Sequence, residues 1–141
     1  MREILFRGRC IGEDDFYGWE EGFYVRLRDP FKNRESHRIY SGFAECDCGD
    51  FYGDWYEVDP KTVGQFTGLV DKNGKRIFEG DIVKYHHGKN DYNLMMVVWY
   101  EDDAHFVFAY SDDFYYCEHL MNSHIYCEVI GNIYDNPELL R

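Results

Sequence analysis

TVGQFTGLVDKNGKRIFEGDIVKY, residues Thr62 to Tyr85, decides the fold, because turn chemistry or alternation explains nearly every position in it. Gln65 to Val70 carries Phe66, Thr67, Leu69 and Val70, bulky or β-branched side chains that suit a pleated, half-buried surface. Asp71-Lys72-Asn73-Gly74-Lys75 follows. Asn and Gly tolerate positive φ, so this is either a two-residue Asn-Gly hairpin turn or a type I turn closed by Gly74 in the left-handed region. Arg76-Ile77-Phe78 returns as a second strand, Glu79-Gly80-Asp81 reverses the chain again, and Ile82 to Tyr85 leaves as a third. So short a run of strands and turns is a meander, and the chain is expected to be all-β.

Upstream, Arg2 to Arg7 has an apolar centre between charged flanks and reads as a buried first strand ended by Gly8. Phe16 to Arg28, interrupted by Gly18 and Gly22, reads as a hairpin. In it Phe23, Val25 and Leu27 form the apolar face, and Tyr24, Arg26 and Arg28 the aromatic or basic one. His37 to Tyr40 is extended. Ser41 to Asp54, SGFAECDCGDFYGD, is rich in Gly and Asp and is expected to be an irregular exposed loop before a strand at Trp55 to Val58.

Downstream, His86 to Asn93 is a polar loop. Leu94 to Tyr100 is a continuous apolar run of the length of a buried strand, and Glu101-Asp102-Asp103 turns it into His105 to Tyr110. Ser111-Asp112-Asp113 is another turn, Phe114 to Tyr116 a short extended piece and His119 to Ser123 a loop or single helical turn. Ile125 to Ile133 is the last strand, with Gly131 marking a bulge or close backbone contact. Asn136-Pro137-Glu138 has the form of a helix start, so Leu139 and Leu140 fall in a short terminal turn.

YEVDPKTVGQFTGLVDKNGKRIFEGDIVKY (Tyr56 to Tyr85), CEVIGNIYDNPELL (Cys127 to Leu140) and the opening MREILFRGR together resemble the YopX family of small proteins encoded by bacteriophages and prophages. The resemblance is close from Val58 to Val83 and over the C-terminal stretch, and thin from Cys10 to Tyr56 and from His86 to Tyr126. It implies an SH3-like barrel core, here with an additional N-terminal β-hairpin subdomain. A soft boundary near residue 58 would divide an N-terminal β-rich subdomain, 1–58, from the barrel core, 59–141, unless 1–141 is one compact unit. The family brings no established activity, so the resemblance carries over no catalytic residue.

The 141-residue chain can bury one sizeable core. Its net charge of −12 is spread along its length, since residues 1–58 hold 8 basic and 13 acidic side chains and the remainder 7 and 14. Neither half offers a basic footprint for phosphates, which disfavours direct binding of nucleic acid. No apolar run has the length of a membrane span and no signal-peptide pattern opens the chain, so a cytoplasmic location in a bacterial host cell is expected, with the five cysteines as reduced thiols.

Cys46 and Cys48, with Cys117 and His119 downstream and Cys127 beyond, are the residues with metal-ligand chemistry. A single intervening residue is tighter than the usual zinc knuckle, however, and no cofactor is expected. His86-His87 with Asp91 has the elements of a base and its orienting carboxylate, without a nucleophile beside them. The carboxylates Asp47/Asp50/Asp54, Glu101/Asp102/Asp103 and Asp112/Asp113 match no calcium-loop pattern and read as solvated turns. The aromatic excess of the N-terminal part is a stronger signal. Tyr17 and the interface candidates Trp19, Tyr24, Tyr40, Phe51, Tyr52 and Trp55 exceed what half of a small β-domain readily buries, and aromatics are enriched at interface centres. The expected function is a non-enzymatic module that binds a protein partner or itself. The alternatives are an acidic decoy of a nucleic-acid-binding host protein and a metal-dependent enzyme.

Overall fold

The computed structural model describes residues 1–45, 47–49, 51–110, 117–119 and 124–140, with the backbone alone at 43–45, 51–52 and 117–119. It is all-β, and the strand pairs described are antiparallel. The chain forms two compact units, Met1–Gln65 and Phe66–Arg141.

In the first unit the strands are β1 (Phe6–Arg9), β2 (Trp19–Asp29), β3 (Arg34–Glu45) and β4 (Phe51–Glu57), in the order β4-β3-β2-β1, with the start of β5 (Gly64–Val70) beside β1. Its core is Cys10, Ile39 and Val58, packed by Phe6, Tyr24, Tyr56 and Val63. Three readings are corrected here. The first strand starts at Phe6, leaves Ile4 exposed, and runs through Gly8. A Cβ at Gly8 would stand 2.9 Å from that of Val58, so the glycine admits a core residue and does not end the strand. Phe16 to Arg28 is not a hairpin: Gly12–Tyr17 is a 3-10 turn and β2 continues straight through Gly22, where a side chain would overlap the Tyr40 carbonyl. The expected loop from Ser41 to Asp54 is largely hairpin, since β3 and β4 stay paired from Arg38–Glu57 to Glu45–Phe51 across a bulge between Tyr40 and Gly42.

The second unit contains the rest of β5, β6 (Arg76–Phe78), β7 (Asp81–His86), β8 (Tyr92–Tyr100), β9 (His105–Ala109), β10 (Cys117–His119) and β11 (Cys127–Asn132). β5 pairs with β6, and the other five lie in the order β10-β9-β8-β7-β11. Residues 111–116 and 120–123, where a turn, a short extended piece and a loop were expected, lie outside the described residues. Strand β8 is an apolar run because both of its faces are covered at its centre, where Met95, Met96 and Val97 are buried in succession, and Met95 and Val97 join Ile77, Val83, Phe108, Cys127 and Val129 in the core. A register shift in β11 between Val129 and Gly131 is the bulge read from the glycine. Pro137–Leu140 is a single 3-10 turn.

The hairpin turn resolves in favour of the second alternative. Gly74 has φ +82° while Asn73 stays out of the left-handed region, and the Gly74 N–H donates to the Asp71 carbonyl at 3.0 Å, closing a type I turn. The Asp71 side chain, 5% exposed, binds the turn from within. Its Oδ1 accepts from the N–H of Asn73 (2.8 Å) and Lys75 (2.9 Å), and Oδ2 accepts from the N–H of Val129 in β11 at 2.9 Å. The Lys72 N–H adds a bond to the Cys127 carbonyl. Burial works against the ionised carboxyl, but the N–H groups of Val129, Lys75 and Asn73 and the charge of Lys75 outweigh it and hold Asp71 below the ordinary carboxylate range.

Replacing Asp71 with Ala strands these donors, the Val129 N–H in the interior among them, and should cost about 3 kcal/mol of stability in urea unfolding at neutral pH. Because the folded-state value is the lower one, this contribution is complete above the unfolded carboxyl value of about 3.9 and is lost as pH falls through the folded value. Wild type and variant should therefore converge in stability on acidification; a gap independent of pH would contradict the assignment.

Candidate functional site

Cross-strand pairing sorts the aromatic residues of the first unit onto two faces. In an antiparallel sheet, directly opposed residues share a face and neighbours along a strand alternate. Tyr24, Ile39 and Tyr56 form one row across β2, β3 and β4, and Phe23, Tyr40 and Trp55 form the adjacent row on the other face. The first row packs on the core of the unit. The second stays open, with Phe23 52% and Trp55 43% exposed.

Cations brace the open face. The Arg38 guanidinium stacks 3.7 Å from the centre of the Trp55 ring, donates from Nε to the Ser36 hydroxyl at 3.0 Å and lies 3.7 Å from the Asp29 carboxylate. The N–H of Lys32, together with that of Phe31 and the neighbouring cations, holds Asp29 below the ordinary carboxylate range, so it stays charged opposite Arg38. Arg7 lies 5.1 Å from the Trp19 ring, which shares this face by alternation with Glu21 and Phe23.

The candidates are thus divided. Trp19, Tyr40 and Trp55 come together on the open face. Tyr24 lies on the other, its ring 5.8 Å from Phe6 and its hydroxyl bonded to Nδ1 of His37, whose Nε2 is 3.5 Å from Glu35. Tyr17 packs edge-on against Tyr56. The side chains of Phe51 and Tyr52 lie outside the described residues. Sequence reading missed Phe23: the alternation of β2 is clear, but both of its faces carry large side chains. Only the pairing of Tyr24 with Ile39 identifies which one is buried.

Cys48 is disulfide-bonded, which corrects the reading of five reduced thiols and removes a thiolate from the metal candidates. Cys46 and the side chains of Cys117 and His119 lie outside the described residues. Burial first, then nearby carboxylates, pushes the Cys10 thiol up to about 11 and the Cys127 thiol up to about 12, so both are protonated at neutral pH and poor as nucleophiles or metal ligands. His87 Nε2 accepts from the Asn93 amide, which also donates to the Tyr110 hydroxyl at 2.7 Å, and His86 Nε2 lies 3.3 Å from Lys72 Nζ. Asp91 meets His87 through its main-chain carbonyl, not as an orienting carboxylate. Among the described residues no three His, Cys, Asp or Glu side chains converge as a metal site, and no helix is long and apolar enough to cross a membrane. Asp50 and Asp112/Asp113 lie outside those residues. Glu101 and Asp102, with Trp99 and Tyr100, line a surface depression of about 320 Å³.

A family profile described as YopX protein matches residues 20–141. The chain belongs to the YopX family. The crystal structure of protein EF1440 from Enterococcus faecalis is similar to this YopX chain over the full length of both, with 25% identity and a TM-score of 0.59. No curated protein matches it. The family match begins inside β2, so it covers the open aromatic row as well as the meander.

The two faces should respond differently to substitution. Tyr24→Phe strands the His37 ring nitrogen and should cost about 1 kcal/mol, whereas Trp55→Ser on the open face should change stability by less than about 0.5 kcal/mol plus the loss of its contact with Arg38, itself about 0.5–1 kcal/mol. Urea unfolding of the single variants and of Arg38→Ala with Trp55→Ser separates these contributions; if the double variant lost the full sum of both singles, the Arg38–Trp55 contact would have no energy of its own.

Proposed function

We propose that this chain is a non-enzymatic phage or prophage accessory protein that works in the host cytoplasm as a protein-binding or self-associating module. The observation that carries the reading is the open row Phe23–Tyr40–Trp55. Large aromatics aligned on adjacent strands, two of them about half exposed, are costly to leave in water, and such residues dominate the energy of interface centres. A guanidinium already stacked on Trp55 presents the ring in a fixed orientation, which lowers the entropy lost on docking.

The SH3-like reading belongs to the second unit. Support for it comes from the β7-β8-β9-β10 meander, from the return of β11 beside β7, and from the 3-10 turn His124–Tyr126 leading into that last strand. In this arrangement the second unit is scaffold and the first presents the contact surface.

The test is mass by light scattering, together with capture of proteins from bacterial lysate at low and moderate salt, for wild type and for Phe23→Ser/Trp55→Ser. A dimeric mass, or a captured protein, that disappears in the double variant is the expected result. A monomer whose captured proteins are the same in both forms would refute the reading.

A further inference from the structure

The open aromatic row ends at β4, and β4 is the outer strand of its sheet. Its last residue is covered: the Glu57 N–H donates to Asp14 Oδ2 at 3.0 Å and its carbonyl accepts from the Ile11 N–H at 2.9 Å. Alternation then aims the N–H and C=O of Trp55 and Gly53 outward on that same edge. Tyr56 and Val58 have the opposite sense, as the bond from the Val58 N–H to the His37 carbonyl inside the sheet requires. Among the described residues nothing bonds the outward backbone groups of Trp55 and Gly53. The extra residue of the bulge sits in β3, so the alternation of β4 itself continues without a break there.

The charge along this edge differs between its faces: the Trp55 face carries Arg38, stacked on the ring, and Arg34, bonded to Glu57, whereas the Asp54 face is acidic. Asp54 is exposed at the edge, and Glu13, Asp14 and Asp15 lie in the 3-10 turn that covers Glu57. Their field is felt inside the unit. After burial, Glu20 and Asp54 push the Tyr56 phenol up, and Glu20, Asp14 and Asp15 do the same for the Cys10 thiol. An unpaired strand edge is a template for another strand, and protecting lysines on it would repel a basic segment. Here the flanking side chains on the Asp54 face are carboxylates, and the two arginines of the other face are already engaged by Trp55 and Glu57. A second copy of the same acidic edge would be repelled, and a basic one attracted.

We propose that the Gly53–Trp55 edge of β4 takes an extended, basic segment of a partner protein as an added antiparallel strand. Backbone bonds to Gly53 and Trp55 supply the affinity. Lysine or arginine side chains meet Asp54 and the Glu13–Asp15 turn on one face, and an apolar or aromatic residue extends the Phe23–Tyr40–Trp55 row on the other. This deepens the protein-binding reading and rests on it, specifying partner chemistry and docking geometry.

The test uses the full chain, 15N-labelled, and a capped heptapeptide in which lysine alternates with valine or tyrosine. Saturable binding should shift the Gly53 and Trp55 amides and slow their exchange with solvent. N-methylation of alternate peptide residues should abolish binding in one phase of the alternation and spare it in the other. Asp54→Lys should weaken binding roughly fivefold at low salt, and a glutamate version of the peptide should not bind. Equal binding of the glutamate peptide, indifference to both methylation phases, or shifts confined to residues away from β4 would overturn the proposal. If β4 stays untouched while capture of a protein from lysate still depends on Phe23 and Trp55, the edge inference fails and the binding-module reading stands.

Discussion

The second unit depends on one buried carboxylate. Asp71 holds its own turn together through the N–H groups of Asn73 and Lys75, and holds that turn against β11 through Val129. The free energy that burial costs a charged group is offset by three oriented donors, a common solution to keeping a carboxylate inside a protein. The contact also reduces a liability. β11 is an outer strand of its sheet, and the Asp71 carboxylate and the Lys72 N–H occupy the Val129 N–H and the Cys127 carbonyl, two groups that would otherwise invite another chain. Among the described residues, β4 in the first unit has such a cover at Glu57 alone.

Much of the fold was legible because turns have strict chemistry. Asp71 to Lys75 and Glu79 to Asp81 combine residues that few other conformations favour, and the strands around them follow from alternation. Leu94 to Tyr100 is legible for a different reason: a continuous apolar run of this length suits a strand with both faces covered. The N-terminal part was harder. Gly8 and Gly22 read as breaks, yet each is a place where Val58 or the Tyr40 carbonyl comes close to the backbone. A sequence gives the same letter for both uses. Ser41 to Asp54 has the composition of a loop, rich in Gly and Asp, and pairing with a neighbouring strand overrides that propensity.

The candidate site was legible in composition but not in arrangement. An aromatic excess says that something must be buried or bound. Whether Phe23 or Tyr24 faces the core depends on which of them is opposite Ile39, and that is fixed by register, which a single strand does not encode. Once the register is known, Phe23 takes the place that Tyr24 held among the sequence candidates. Trp55 gains its orientation from Arg38, a partner seventeen positions earlier, paired across the sheet in the neighbouring row.

The bond between Asp71 and Val129 spans 58 residues. Closing so long a loop costs chain entropy that local turns avoid, so the hairpin of β5 and β6 can form early while its tie to β11 comes late. Before β11 arrives, the Asp71 carboxylate serves its own turn alone and the apolar face of Ile77 lacks part of its cover. One side chain thus ties the two ends of the unit, so losing the last strand would remove one of the three donors that hold the Asp71 carboxylate in the first hairpin.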